Sequence, residues 1–246
     1  MTTIKRPLNC VDDRTVRWSL VFLRRENYMD DVAKWILYED DMLLVLRKPA
    51  GIAVESAKVT EKDLISMLRI YTGNHVFMVH RLDQVVEGVI VFAKTRQAAA
   101  VLSGQLNNGV MKKRYTARIC GKVRDEAGVL TDCLVRDKRQ NMSKVGKATD
   151  PGAVKAELRY RRLSDEELEI ELVTGRHHQI RAQLSYAGMP IAGDRKYGAV
   201  PEPGRQARGA IDLCASELTL RHPVSGELMS FKAVPSWHRQ QPSSVH

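Results

Sequence analysis

Between Ala153 and Leu163 the chain alternates with a period of two: Val154, Ala156, Leu158 and Tyr160 are apolar, and Lys155, Glu157, Arg159 and Arg161 lie between them. A strand sends successive side chains to opposite faces, so this pattern predicts a strand in a sheet with one covered and one wet face. Tyr115 to Val123, Gly128 to Val135 and Leu168 to Val173 read as strands around it. Nearer the N-terminus, Trp35–Tyr38 and Leu43–Leu46 form a strand pair about the acidic turn Glu39–Asp41, and Lys48–Gly51 ends the second strand. Gly88–Ala93 is apolar enough for a buried strand, and Leu213–Leu220 with Glu227–Phe231 reads as a hairpin. Helical spacing occurs in three places: Asp63–Tyr71, a segment capped by Thr95 and stopped at Asn108–Gly109, and Gln179–Ala187 stopped by Gly188. Isolated helices among runs of strands predict an α+β fold with a mixed sheet rather than a doubly wound parallel one.

The 246 residues, 43% of them hydrophobic, suffice for one sizeable core, and no linker interrupts residues 34–235. That segment is expected to be a single domain. Residues 1–33, with the amphipathic Trp18–Leu23, read as an extension, and residues 236–246 as a polar tail. MTTIKRPLNC has no apolar stretch of the kind an export signal carries, and the apolar runs are far shorter than the ~20 residues of a membrane span. A cytoplasmic protein without membrane association is therefore expected. Cys10, Cys120, Cys133 and Cys214 are widely spaced and form neither a disulfide framework nor a zinc signature. The net charge of +10 points to a polyanionic partner or to a surface charged for solubility. Residues 111–162 hold fifteen basic side chains against six acidic ones, which concentrates most of that excess in one region. Within it, Arg136–Lys147 reads as a polar loop between strands that suits phosphate contacts.

Two segments carry candidate chemistry. Met78-Val79-His80-Arg81-Leu82-Asp83 runs from an apolar entry into His, Arg and Asp, so a carboxylate near cations could be held ionised and aimed into a cleft. A surface loop with an Asp–Arg pair would look the same. Thr174-Gly175-Arg176-His177-His178-Gln179-Ile180-Arg181 leads from a strand into a helix and can present backbone N–H groups and basic side chains to an anion. Adjacent histidines rarely converge on one ion, and no nearby carboxylate or thiol in the segment completes a ligand set, so no metal is expected.

Together with their surroundings, these segments resemble the RluA-type family of pseudouridine synthases from about Ile36 to Phe231. Lys48-Pro49-Ala50-Gly51-Ile52-Ala53-Val54 is similar to the family's first motif, His80-Arg81-Leu82-Asp83 matches its H-R-L-D, and Lys113-Arg114-Tyr115-Thr116-Ala117 is similar to the strand bearing an active-site Tyr. Gly175-Arg176-His177-His178-Gln179-Ile180-Arg181 resembles G-R-x-H-Q-[IL]-R, and Pro190–Gly198 is similar to the stretch that follows it. The resemblance implies a mixed, largely antiparallel sheet flanked by helices and loops, with an active-site cleft in the middle.

It further implies that Asp83 is the catalytic aspartate, that Tyr115 packs against the target uracil and takes part in the proton step, and that Arg181 pairs with Asp83. Arg81 would enter the RNA stack where the target nucleotide has left, and His80, Arg176, Gln179 and Ile180 are expected on the substrate side. The substrate would be structured RNA, ribosomal or transfer, and the protein a monomer. The family's usual x-x-T-S-G after the catalytic Asp is here Gln84-Val85-Val86-Glu87-Gly88, which adds the carboxylate of Glu87 near the site and removes a hydroxyl at Val86.

Pseudouridine formation breaks the N1 glycosidic bond of uridine and rejoins the turned base to the same ribose through C5. It is an isomerisation without net redox change or group donor, so no cofactor, nucleotide or metal, is expected. The reaction needs an anion beside the sugar, as nucleophile at C1′ or base at C2′, and Asp83 suits both. An aromatic ring restrains the detached base, with stacking worth about 1–3 kcal/mol per base, and the nucleotide must leave its stack at a cost of a few kcal/mol. Two other readings use the same residues: an RNA-binding protein that has lost catalysis, and a glycosidase-like hydrolase with Glu87 as its second carboxylate.

Overall fold

The structure is a computed structural model that describes residues 30–56, 62–123, 125–201 and 209–240. Its N-terminal half contains β1 (Ile36–Glu39), β2 (Leu43–Lys48), α1 (Leu64–Thr72), β3 (Phe77–Met78), β4 (Glu87–Ala93), α2 (Arg96–Asn107) and β5 (Lys112–Arg118). There follow β6 (Ala127–Asp137), β7 (Met142–Gly146), β8 (Val154–Arg162), β9 (Glu167–Leu172), α3 (Gln179–Tyr186), β10 (Leu213–Arg221) and β11 (Leu228–Lys232). The strands form one sheet ordered β1-β2-β4-β10-β5-β9-β8-β6-β7, with β11 added to β10 and β3 to β4. Pairing is antiparallel throughout except between β4 and β10. The α+β expectation thus holds.

Local chemistry explains the helix limits. The Asp63 side chain accepts from the Ser66 N–H to cap α1, which ends at Gly73 in the left-handed region (φ 67°). Thr95 caps α2 by accepting from the Ala98 N–H. Both faces of β4 are covered, as its uninterrupted apolar run requires. Ile90 and Phe92 join a core with Leu64 and Leu68 of α1, Tyr115, Leu158 and Ile180, whereas Val89 and Val91 pack with Leu102 of α2, Leu218 and Leu220. Helices α1 and α3 therefore lie on one face of the sheet and α2 on the other.

In β8, Ala156, Leu158 and Tyr160 are buried while Val154, at the strand's start, stays 42% exposed. On the wet face the basic residues meet acids from neighbouring strands. Arg159 lies opposite Glu171, Arg161 bonds Glu169 at 3.0 Å, and Arg114 reaches Glu217 at 3.3 Å.

Three expectations need correction. Residues 136–147 are not a loop: β6 runs to Asp137, the chain turns over Lys138–Asn141 with Asn141 at φ 49°, and β7 returns antiparallel. Ser143 and Lys144 hid that strand, because a buried serine breaks the apolar alternation. The β5 strand begins three residues early and stops at Arg118, beyond which Ile119 makes only a single bridge to Ile191. The expected C-terminal tail begins as a 3-10 turn, Ser236–Gln240, with the Trp237 Nε1–H donating to Glu167 at 2.5 Å. The amphipathic Trp18–Leu23 segment and residues 241–246 lie outside the described residues.

Candidate active site

Asp83 sits between β3 and β4, where the Val86 N–H closes a turn onto the Asp83 carbonyl at 3.0 Å. Lys48 braces this turn from the end of β2. Its ammonium is fully buried and donates to the carbonyls of Pro49 (2.9 Å), Ile52 (2.8 Å) and Gln84 (3.3 Å). Burial lowers the Lys48 amine to about 8, against the opposing pull of the Asp83 and Glu87 charges. A second clip joins the same segments, with the Gly51 N–H on the Gln84 carbonyl at 2.7 Å and the Gln84 side-chain amide on the Gly51 carbonyl at 3.0 Å.

Arg181 reaches Asp83 from across the cleft. It lies in the first turn of α3, and Nη1 donates to Asp83 Oδ2 at 3.1 Å. The rest of the guanidinium is gripped by Asp194, with Nε to Oδ2 at 2.7 Å and Nη2 to Oδ1 at 3.0 Å. Arg181 and Asp194 are both buried, and the guanidinium stands 4.8 Å over the Tyr197 ring. The Asp194 and Asp83 carboxylates outweigh burial and raise the already high Arg181 value. A bidentate pair of this kind fixes orientation as well as charge.

Tyr115 on β5 is buried beside this group. Burial, assisted by the Asp83 charge, pushes its hydroxyl above the usual phenol range, so the ring is a neutral phenol at physiological pH. His178 precedes α3 in the left-handed region (φ 50°). Its Nδ1 is 2.9 Å from the Tyr197 hydroxyl and its Nε2 is 3.5 Å from Asp83 Oδ2. His177 stacks on His178 with centroids 3.8 Å apart, and its Nδ1 meets the Ser143 hydroxyl at 3.0 Å.

The fold therefore brings Asp83, Tyr115 and Arg181 together. Arg81 is exposed next to Asp83, and Arg176 is exposed with Nε on the Lys155 carbonyl at 3.1 Å. Three other sequence candidates turn inward. His80 is buried with Nε2 accepting from the Val91 N–H at 3.4 Å, and Ile180 belongs to the core. Gln179 is buried, accepting from Thr174 Oγ1 (2.8 Å) and the Arg176 N–H (2.9 Å) while donating to the Glu157 carbonyl (3.0 Å). It ties the loop before α3 to β8. Burial takes the His80 imidazole down to about 3, so it is neutral.

Glu87 is engaged elsewhere. Its carboxylate accepts from Arg47 at 2.9 Å and from the Ser236 N–H at 2.6 Å, tying β4 to β2 and to the C-terminal turn. Val86 is core. The Val-Glu pair thus adds no second carboxylate facing the Asp83 group. Sequence reasoning missed Lys48, Asp194, Tyr197 and His178 as members of the site, although all four fall within the quoted motifs.

The RNA pseudouridylate synthase family description matches residues 42–186. The chain is 37% identical over 209 residues to the RNA pseudouridine synthase YhcT of Bacillus subtilis, covering 80% of this chain and 67% of that protein. It is 34% identical over 217 residues to the dual-specificity RNA pseudouridine synthase RluA of Escherichia coli, covering 85% and 97%. With the ribosomal large subunit pseudouridine synthase C of Haemophilus ducreyi it shares 30% over 220 residues, 86% and 69% of the two chains. The human RNA pseudouridylate synthase domain containing 4 superimposes with a TM-score of 0.69 at 22% identity, covering 87% of this chain and 93% of that one, a likeness of fold. By motif order, site geometry and these relatives, the chain belongs to the RNA pseudouridylate synthase family.

Proposed function

We propose that this protein isomerises specific uridines of structured RNA, ribosomal or transfer, to pseudouridine with Asp83 as the reacting carboxylate. The observation that carries the reading is the partly exposed Asp83 carboxylate held by a buried arginine, which is itself pinned by Asp194. Such a carboxylate keeps its aim in a site that a bound nucleotide would close to water, whether it attacks C1′ or takes the proton from C2′. Tyr115, as a neutral phenol on a rigid strand, would stack under the uracil and hydrogen-bond during the proton step.

RNA contact would fall on the cations that no acid claims. Seven of the fifteen basic residues in 111–162 have carboxylate partners within 4.0 Å among the described residues: Arg114, Arg118, Lys122, Lys144, Lys155, Arg161 and Arg162. Arg136 on β6 and Lys196 instead bear electrostatically on His177 and His178, beside Asp83. Lys138 and Arg139 are exposed at the β6–β7 turn. These residues with Arg81 and Arg176 would line the rim that phosphates reach, and Arg81 would occupy the gap left by the extruded nucleotide. No cofactor, a monomeric state and a cytoplasmic location belong to the same reading.

Purified protein incubated with uridine-labelled ribosomal and transfer RNA tests it. The expected product, after digestion to nucleosides, is pseudouridine of unchanged mass. Release of free uracil would support the hydrolase instead, and RNA retention with unmodified uridine would support a binding protein.

A further inference from the structure

We infer that His178 is a positioning residue for Asp83: held by Tyr197 as the neutral Nε2–H tautomer, it presents an N–H to Oδ2 and, with Arg181, turns Oδ1 towards the ribose. The inference rests on the pseudouridine synthase reading for its substrate.

Tyr197 is buried, and the Ser143 backbone N–H donates to its hydroxyl oxygen at 2.9 Å. The hydroxyl proton needs an acceptor, and the other polar atom in reach is His178 Nδ1 at 2.9 Å. The tyrosine therefore donates to Nδ1. In a neutral imidazole the ring proton must then sit on Nε2, the nitrogen that faces Asp83 Oδ2 at 3.5 Å. That separation is long for a hydrogen bond in the free protein and is of the kind that shortens when substrate closes a site.

The ring stays neutral for reasons of place. The His178 side chain is 8% exposed, and the positive charges of Arg181, Lys196 and Arg136, together with His177, face it from α3, the 190–198 segment, β6 and its own loop. Burial and these neighbours bring His178 down to about 3. Its backbone is also held at φ 50°, a region that non-glycine residues enter at a cost and retain only where the surroundings enforce it.

The consequence for Asp83 is asymmetric. Arg181 and His178 both address Oδ2, and among the described residues no protein donor is recorded on Oδ1. One oxygen takes the Arg181 hydrogen bond and faces His178 Nε2 at 3.5 Å, and the other is left for chemistry. Arg181 alone holds Oδ2 from one side and would let the carboxylate rotate about χ2. A His178 contact that shortens as substrate binds would remove that freedom, which is the part of catalysis that depends on reacting atoms being pre-aligned.

Nitrogen-15 NMR of histidine-labelled protein without RNA tests the tautomer, with His178 assigned by the loss of its signals in His178→Gln. The expected signature is a protonated Nε2, a bare Nδ1 and no titration between pH 5 and 8. Tyr197→Phe should abolish the single-tautomer signature. A proton on Nδ1, or titration near neutrality, would overturn the inference whether or not the protein makes pseudouridine. In turnover, His178→Leu should lower kcat about 10- to 100-fold with KM little changed. His178→Gln, which keeps an N–H at the same reach, should recover most of the loss. Equal impairment of the two variants would reduce His178 to a space-filling role.

Discussion

Arg181 shows how a residue identified by motif acquires its function from a neighbour that composition does not mark. Its charge is shared between Asp194, which is buried and takes two hydrogen bonds, and Asp83, which takes one. Asp194→Asn keeps the shape and removes the charge, leaving a buried guanidinium half compensated. Loss of about 3–5 kcal/mol of stability is expected, because breaking a buried pair strands the remaining ion. Urea denaturation would measure it, and a change under about 1 kcal/mol would show that Asp194 is not needed to hold Arg181. That Asp83, Tyr115 and Arg181 would lie together was legible through the resemblance of their segments to the family's motifs. Asp194, Lys48 and His178 were not, since each acts through a contact made only in the folded chain, and Gln179 and Ile180 looked like ligands in a string where they are clamp and core.

The strands and helices were legible where periodicity was clean. The β8 strand follows from alternation, α1 from helical spacing and α2 from the Thr95 cap. The β7 strand escaped because its buried position is a serine, whose hydroxyl serves His177. The parallel contact of β4 with β10 was also hidden, and Gly88 is its requirement. At φ 122° it lies where side chains are strained, and an added Cβ would stand 2.4 Å from the Ala215 backbone N and O. Gly88→Ala should force the two strands apart and cost about 2–4 kcal/mol, read as a lowered denaturation midpoint. An unchanged midpoint would mean that β10 can shift freely. That strand shares its ladder with β5, which carries Tyr115, so activity should fall with stability.

For the whole molecule, the +10 charge is not a uniform coat. Seven cations of the basic region are neutralised by nearby acids, and Arg136 and Lys196 converge near the Asp83 group. Two neutral histidines, the buried His80 and the partly buried His178, make the fold acid-sensitive. Both have folded values near 3, well below the unfolded value of about 6.5, so the unfolded chain binds more protons between these limits. Their contribution is present above pH 6.5 and declines as pH falls towards 3, by up to about 1.4 kcal/mol per pH unit for each. Unfolding free energies between pH 7 and 5 should show that slope, and a His80→Asn variant should reduce it; a flat profile would contradict the burial of neutral imidazoles. The central claim, that Asp83 does the chemistry, is tested most directly by Asp83→Asn assayed on bulk cellular RNA with a pseudouridine-specific chemical readout. Modification is predicted to vanish while RNA binding survives, and unchanged modification would remove Asp83 from the mechanism.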